Sequence, residues 1–227
     1  MIKVLLFGIL LLVSNITTAQ EFKAEVSYKY MYANQWDKAI QTYNFSRPFI
    51  SEKQPLLING FNPSFSYIFK STKNVSQGLH LSYSYFRSSA ENENLVNTLN
   101  LHFLNLGYMI HYENKGNLKG LYSDLILSAT SSGLFRNING EPFEYDENIS
   151  KAFGIGSDLN LKLGYYLKLK GKNYLSPFIS FAYTPYLYSP NSEVVINQTK
   201  GLTNKNWTSI VSAQIGLAFH IKKSITQ

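Results

Sequence analysis

The chain contains no cysteine. It therefore has no disulfide framework, no thiolate metal site and no cysteine nucleophile. Charged residues are scarce at 15 %, against roughly 25 % in an average soluble protein. After residue 20 no apolar run approaches the roughly 20 residues that a membrane-spanning helix needs, so a helical membrane protein is excluded. No glycine-rich phosphate loop, nucleotide fingerprint or internal repeat beyond a hairpin rhythm is visible. What is abundant is aromatic: 17 Tyr, 15 Phe and 2 Trp in 227 residues. Many rings and few charges argue against disorder and against an ordinary cytosolic domain. The net charge of +7 raises the question of a nucleic-acid partner, which the placement of the charges must answer.

The N-terminus reads as an address. Met1-Ile2-Lys3 is short and basic, Val4 to Val13 is apolar apart from Gly8, and Ser14 to Ala19 turns small and polar. This is the three-part pattern of a secretory signal peptide. Residues 1–19 are expected to be removed, leaving 20–227 as the working chain, and the lack of cysteine excludes a lipoprotein anchor.

Downstream, the recurring period is two, the mark of strands with two different faces. In 153–169 the odd positions Phe153, Ile155, Leu159, Leu161, Leu163, Tyr165, Leu167 and Leu169 are apolar. The even ones include Gly154, Asp158, Asn160, Lys162 and Lys168. In 207–221, Trp207, Val211, Ile215, Leu217, Phe219 and Ile221 alternate with Thr208, Ser212, Gln214 and His220. The first strand sets Phe22, Val26, Tyr28, Tyr30 and Tyr32 against Lys23, Glu25, Ser27 and Lys29. A fourth sets Leu79, Leu81, Tyr83 and Tyr85 against His80, Ser82 and Ser84. Less regular segments at about 58–70, 95–112, 121–135 and 174–188 bring the total to eight. In 95–112 the apolar parity changes near Phe103-Leu104, which predicts a bulge. Pro177 and Pro185 each remove a ladder donor and predict a bulge or a strand end.

The predicted fold is all-β, an eight-stranded antiparallel up-and-down transmembrane β-barrel. Long connections at about 33–57, 136–151 and 189–206 alternate with short ones, and the long ones lie on the outer side in such barrels. The connections 88–94 and 113–120 fit this alternation less well. A soluble lipocalin-like barrel, apolar inside and polar outside, shows the same periodicity. Three features favour the membrane version. The strands are long. Rings gather at strand ends (Tyr28, Tyr30, Tyr32; Phe65, Tyr67, Phe69; Tyr83, Tyr85, Phe86; Tyr183, Tyr186, Tyr188; Trp207) like an interfacial girdle. The polar faces carry opposite charges, Lys23, Glu25, Lys29, Asp124, Asp158 and Lys162, suited to pairing in a narrow lumen.

Charge also sorts by side. Lys70, Lys73, Lys115, Lys119, Lys168, Lys170, Lys172, Lys222 and Lys223 mark the short-turn side, where Glu113 is the acid. The long connections are close to neutral. Single lysines around one rim suit anionic lipid headgroups rather than a phosphate-tracking stripe, so no nucleic-acid partner is expected.

With these features the chain resembles the small outer-membrane β-barrel proteins of Gram-negative bacteria, the OmpX-like and OmpA-barrel group. The Thr17-Thr18-Ala19-Gln20 signal end and the Tyr/Asn/Lys-rich style are similar to Bacteroidetes versions. The resemblance is one of pattern over residues 21–227 and carries no functional residue with it. It implies the cell outer membrane as location, with outer-membrane lipids and the barrel insertion machinery as partners. The terminal aromatic that this machinery reads is here internal or absent, because eight residues follow Phe219.

Few constellations suggest chemistry. His80 and Ser82 share a strand face and resemble the His-x-Ser of outer-membrane lipid A deacylases, with Asp124 or Glu113 as a possible acid. They fall on the polar, luminal face, away from lipid, which favours a hydrogen-bonding role. Glu144, Asp146, Glu147 and Asn148 form an acidic segment without the spacing of a calcium loop. His80, His102, His111 and His220 sit at unrelated strand positions and suggest no metal site. No catalytic residue, cofactor or metal is therefore expected. The leading expectation is a non-enzymatic barrel with a side-chain-filled lumen, structural or binding through its long loops, whose ligand stays open. A narrow channel for ions or small solutes is the alternative, and a lipid A-modifying enzyme a lesser one.

Overall fold

The computed structural model describes residues 21–71, 74–92, 95–116, 119–142, 151–169, 171, 173–188, 191–197 and 207–222. The expected signal peptide 1–19 and the acidic segment 144–148 lie outside these residues. Eight long strands are present: β1 (Glu21–Ala33), β2 (Asn59–Ser71), β3 (Val75–Asn92), β4 (Leu95–Glu113), β5 (Leu121–Ile138), β6 (Lys151–Tyr165), β7 (Asn173–Tyr188) and β8 (Trp207–Lys222). Each pairs antiparallel with its sequence neighbours, and β8 returns to pair with β1, closing the barrel. Two-residue strands at Glu141–Pro142 and Leu167–Lys168 extend the edges of β5 and β7.

The register fixes the shape. The hydrogen-bonded row that starts at Phe22 runs through Tyr67, Leu79, Tyr108, Leu127, Leu159, Tyr183 and Val211. It re-enters β1 ten residues further on, at Tyr32. Eight strands with that stagger must tilt by about 40° to the barrel axis. An eight-stranded barrel of this kind has an interior just wide enough for side chains.

The two faces separate as the alternation predicted. In β6, Phe153, Ile155, Leu159, Leu161, Leu163 and Tyr165 point outward, all well exposed, while Asp158, Asn160 and Lys162 are buried inside. In β1 the outward set is Phe22, Val26, Tyr28, Tyr30 and Tyr32, and the inward set includes Lys23, Glu25, Ser27 and Lys29. A soluble barrel requires the reverse, so the lipocalin-like alternative is excluded. The outward apolar band belongs against hydrocarbon, the construction of an outer-membrane barrel.

Several sequence expectations change. No bulge interrupts β4: its pairing with β3 and β5 runs without a register shift past Phe103-Leu104. The apolar parity switches because the lumen changes chemistry with height. Leu99, Leu101 and Phe103 point inward against an apolar cap, while Asn100 and His102 point outward. The prolines of β7 do not cause bulges either. The pairs around Pro185 drop out of the β6 ladder, yet the register is the same on both sides of the gap, and Pro177 lies one residue past the end of that ladder. The bulge among these strands is instead in β2, between Ile68 and Lys70. Phe86 and Tyr186 are not girdle residues; they are buried inside. The strand predicted to reach 169 ends at Tyr165, and Tyr166 turns into the lumen. The connection placed at 88–94 is mostly strand, since β3 reaches Asn92 and β4 starts at Leu95. The long 33–57 connection holds a helix, α1 (Asn34–Phe45). A short second helix, α2 (Asn191–Asn197), lies within 189–206.

Candidate functional site

The lower lumen, toward the short turns, is one continuous polar network. Lys23 Nζ lies 3.0 Å from Glu25 Oε1 and is ion-paired to Asp124 from across the barrel. Lys162 Nζ reaches Glu25 Oε2 at 2.5 Å, and Ser64 Oγ donates to the same oxygen at 2.5 Å. Asp124 Oδ1 sits 2.6 Å from His111 Nδ1. Tyr166 lies between His111 Nε2, at 3.1 Å from its hydroxyl, and Glu21, to which it donates at 3.3 Å. Glu21 also holds His220 Nδ1 at 2.5 Å. At the rim, Lys222 is 2.9 Å from Glu113. Higher up, Ser27 donates to Gln214 at 3.0 Å, Ser84 to Asn62 at 2.6 Å and Thr184 to Asp158 at 2.5 Å. The charges singled out in the sequence thus meet, as buried ions must, either a counter-ion or a hydroxyl.

Large inward rings fit by lying over glycine on the next strand. A Cβ at Gly164 would meet the Tyr122 ring at 2.4 Å, and one at Gly156 would meet the Tyr186 ring at 3.0 Å. The filling is tight: a lumen cavity beside Lys29, Asp158 and Thr184 measures about 10 Å³, about the room of one water molecule.

The outer end of the lumen is closed differently. Trp36, Ala39/Ile40 and Tyr43 recur at helical spacing in α1 and form its buried face. Asp37 in the first turn accepts the Ala33 backbone N–H at 3.3 Å, completing the helix start. Burial pushes its carboxyl above the usual range. The Trp36 indole stacks 6.1 Å from Phe103 and meets Tyr186 edge-on at 5.4 Å. Met31, Ile40, Leu57, Phe86, Leu99, Leu101, Val195 and Ile196 complete this apolar plug.

Arg136, buried on β5, ties the plug together. It donates to Asn97 Oδ1 at 2.8 Å and to the Val195 and Ile196 carbonyls at 3.0 and 2.6 Å. Those carbonyls end α2, where a cation is favoured. Arg47 adds a bond to the Asn197 carbonyl at 3.0 Å, and both guanidiniums lie over the Tyr43 ring, at 4.2 and 4.7 Å. Sequence reasoning missed Trp36 and Arg136. The spacing of Trp36, Ile40 and Tyr43 was a usable signal, but Arg136 had none.

The catalytic candidate does not assemble. His80 and Ser82 are both buried in the lumen, but His80 Nδ1 pairs with Ser66 Oγ at 2.8 Å, and Ser82 accepts from Asn105 at 3.0 Å. Neither touches lipid. The histidines are less scattered than their spacing implied, because His111 and His220 meet around Tyr166. The His111 nitrogens face the Asp124 carboxylate and the Tyr166 phenol, His220 Nδ1 faces Glu21, and no group of three or more metal-ligating side chains occurs among the described residues.

No protein-family model and no curated protein matches this sequence. Solved structures with a similar course include Neisserial surface protein A (NspA), at 10 % identity and TM-score 0.49, covering 89 % of this chain and 96 % of that one. Ail, the attachment invasion locus protein of Yersinia pestis, here with the heparin analogue sucrose octasulfate, gives 10 % and 0.48 over 89 % and 99 %. OprG from Pseudomonas aeruginosa gives 9 % and 0.44 over 91 % and 98 %. These likenesses concern chain path alone. It is the closed strand pairing, with its apolar outside and ionic inside, that makes this chain an eight-stranded outer-membrane β-barrel.

Proposed function

We propose that this is a non-enzymatic barrel of the cell outer membrane, OmpX-like in build and Bacteroidetes-type in style, whose task is carried by its outer mouth. The observation behind this reading is the docked cap. With Trp36 seated between Phe103 and Tyr186, the lumen is a packed core rather than a passage, which favours a structural or binding role over a channel. Above the plug, α1 and residues 46–57 form a platform on which Phe45 and Phe49 are 88 % and 82 % exposed. Exposed rings on a braced surface are the usual anchors of a binding face. The ligand is extracellular. Outer-membrane lipids and the insertion machinery are the other partners.

The chain lacks cysteine, so a Phe49→Cys variant tests the platform cleanly. A membrane-impermeant maleimide should label it on intact cells, and the purified protein should give no conductance steps in a planar bilayer. Protection of position 49 on intact cells, or steady ion conduction, overturns the proposal.

A further inference from the structure

The outer wall of the barrel carries a recess of about 1270 Å³ on its upper half, spanning β2 to β6. Its lining is layered by the register. One hydrogen-bonded row carries Arg87, Asn100 and Phe135 in the lining and continues to Lys151, which stands beside the recess over the Phe153 ring rather than in its lining. The row below it reads Tyr85, His102, Gly133, Phe153, and the next reads Tyr83, Leu104, Ser131, Ile155. Going up the wall, the surface thus passes from apolar side chains to rings to two exposed cations.

Gly133 has no side chain, and the Phe135 ring lies over it, where a Cβ would meet that ring at 2.8 Å; further rings stand against Phe135 edge to face. His102 and Phe135 are 5.4 Å apart at 87°, and Phe135 and Phe153 6.4 Å apart at 89°. The His102 ring is held in place by the Tyr83 hydroxyl, 2.5 Å from Nδ1. Lys151 lies 5.6 Å above the Phe153 ring, and neither it nor Arg87 meets a carboxylate among the described residues. Three strand spacings separate the two cations, about 14 Å along the wall, which is the scale of a disaccharide. Along β3, Arg87 stands about 25 Å above Gln77 once the tilt is included, the height of the apolar band. The recess therefore opens where acyl chains give way to headgroups.

We propose that this recess binds a phosphorylated glycolipid of the outer leaflet. Its acyl chains would lie on Leu104 and Ile155, its sugar against the rings around Gly133, and its phosphates on Arg87 and Lys151. The proposal rests on the outer-membrane reading above, with the loop end outward. That reading is tested by labelling and conductance, so the two fail separately.

The experiment is native mass spectrometry of the full-length barrel released from detergent. It is titrated with bis-phosphorylated lipid A and with the same lipid after phosphatase treatment. The wild type should retain the phosphorylated form preferentially. Each surface cation near a headgroup contributes roughly fivefold in affinity, so the preference should be on the order of 25-fold. Arg87→Gln/Lys151→Gln should abolish the preference. Gly133→Leu, whose side chain must push the Phe135 ring aside without changing charge, should weaken both lipids, and inorganic phosphate should not compete. Heat-modifiable gel mobility reports that each variant is folded. Equal retention of the two lipids by the wild type, an unchanged preference in the double variant, or displacement by free phosphate overturns the proposal.

Discussion

Removing Lys23 tests the ionic lumen most directly. Lys23 and Asp124 both have fully buried side chains, and they lie 101 residues apart in the chain. The central network balances two lysines, Lys23 and Lys162, against Glu25 and Asp124. Lys23→Met keeps most of the side-chain volume but leaves that balance one positive charge short of neutral, with the surplus carboxylate buried. Glu25 retains Lys162 and Ser64. Asp124 retains His111 alone among the partners described above. Breaking one side of a buried pair destabilises by about 3–5 kcal/mol. Adding Asp124→Asn restores neutrality and leaves the side-chain oxygen able to accept from His111. A buried pair replaced as a whole is often close to neutral, so the double variant should recover to within about 1 kcal/mol of wild type. The coupling between the two substitutions is then at least about 2–4 kcal/mol, and larger by whatever Asp124→Asn costs alone. Urea unfolding of the barrel in lipid vesicles, followed by tryptophan fluorescence, measures all four corners of this cycle. A Lys23→Met variant within 0.5 kcal/mol of wild type (about the size of a surface substitution), or a double variant as unstable as the single, would refute the argument.

Three further outcomes are expected. Leu161→Arg places a cation on the lipid face and should destabilise by about 2–4 kcal/mol. Asn160→Arg overfills a packed lumen and should also destabilise, so cysteine labelling separates the faces better: Cys at 161 should react with a lipid-soluble reagent and Cys at 160 with neither kind. Trp36→Ala removes the centre of the plug, a change of about 3–5 kcal/mol for a buried indole; a 12-residue helix does not hold by itself. Cap docking should therefore fail while the barrel keeps its gel mobility, and Cys at 39, now buried, should become labelled. Because burial raises the Asp37 carboxyl, the folded cap binds a proton more readily than the unfolded chain. Cap stability should then rise as pH falls through the raised value toward the ordinary 3.8 and stay level below it; Asp37→Asn should flatten the dependence, read by the labelling rate at position 39.

The sequence alone determined the two faces, the strand count and the set of charges held inside. Alternate Cβ atoms point to opposite sides of a strand, and a bilayer outside with a closed lumen inside demands opposite chemistry of them, so the information is written every second residue. That is why the opposite faces of Leu161 and Asn160, or of Tyr28 and Lys29, are legible in the chain itself. Which charges meet was decided elsewhere. Lys23 reaches Asp124, and His111 meets His220 around Tyr166, only because ten residues of stagger accumulate around eight strands, and no local pattern records that sum. The cap misled the reading of β4 for a related reason. Leu99, Leu101 and Phe103 keep their inward parity while the lumen around them turns from ionic to apolar, a change with height set by α1 packing from a distant connection. Arg136 looked like a loop residue in the chain and became the tie between Asn97 and the end of α2. The recess around Gly133 depends on which residues the register places side by side. Periodicity is a property of one strand, whereas pairing, capping and the recess are properties of how eight strands close.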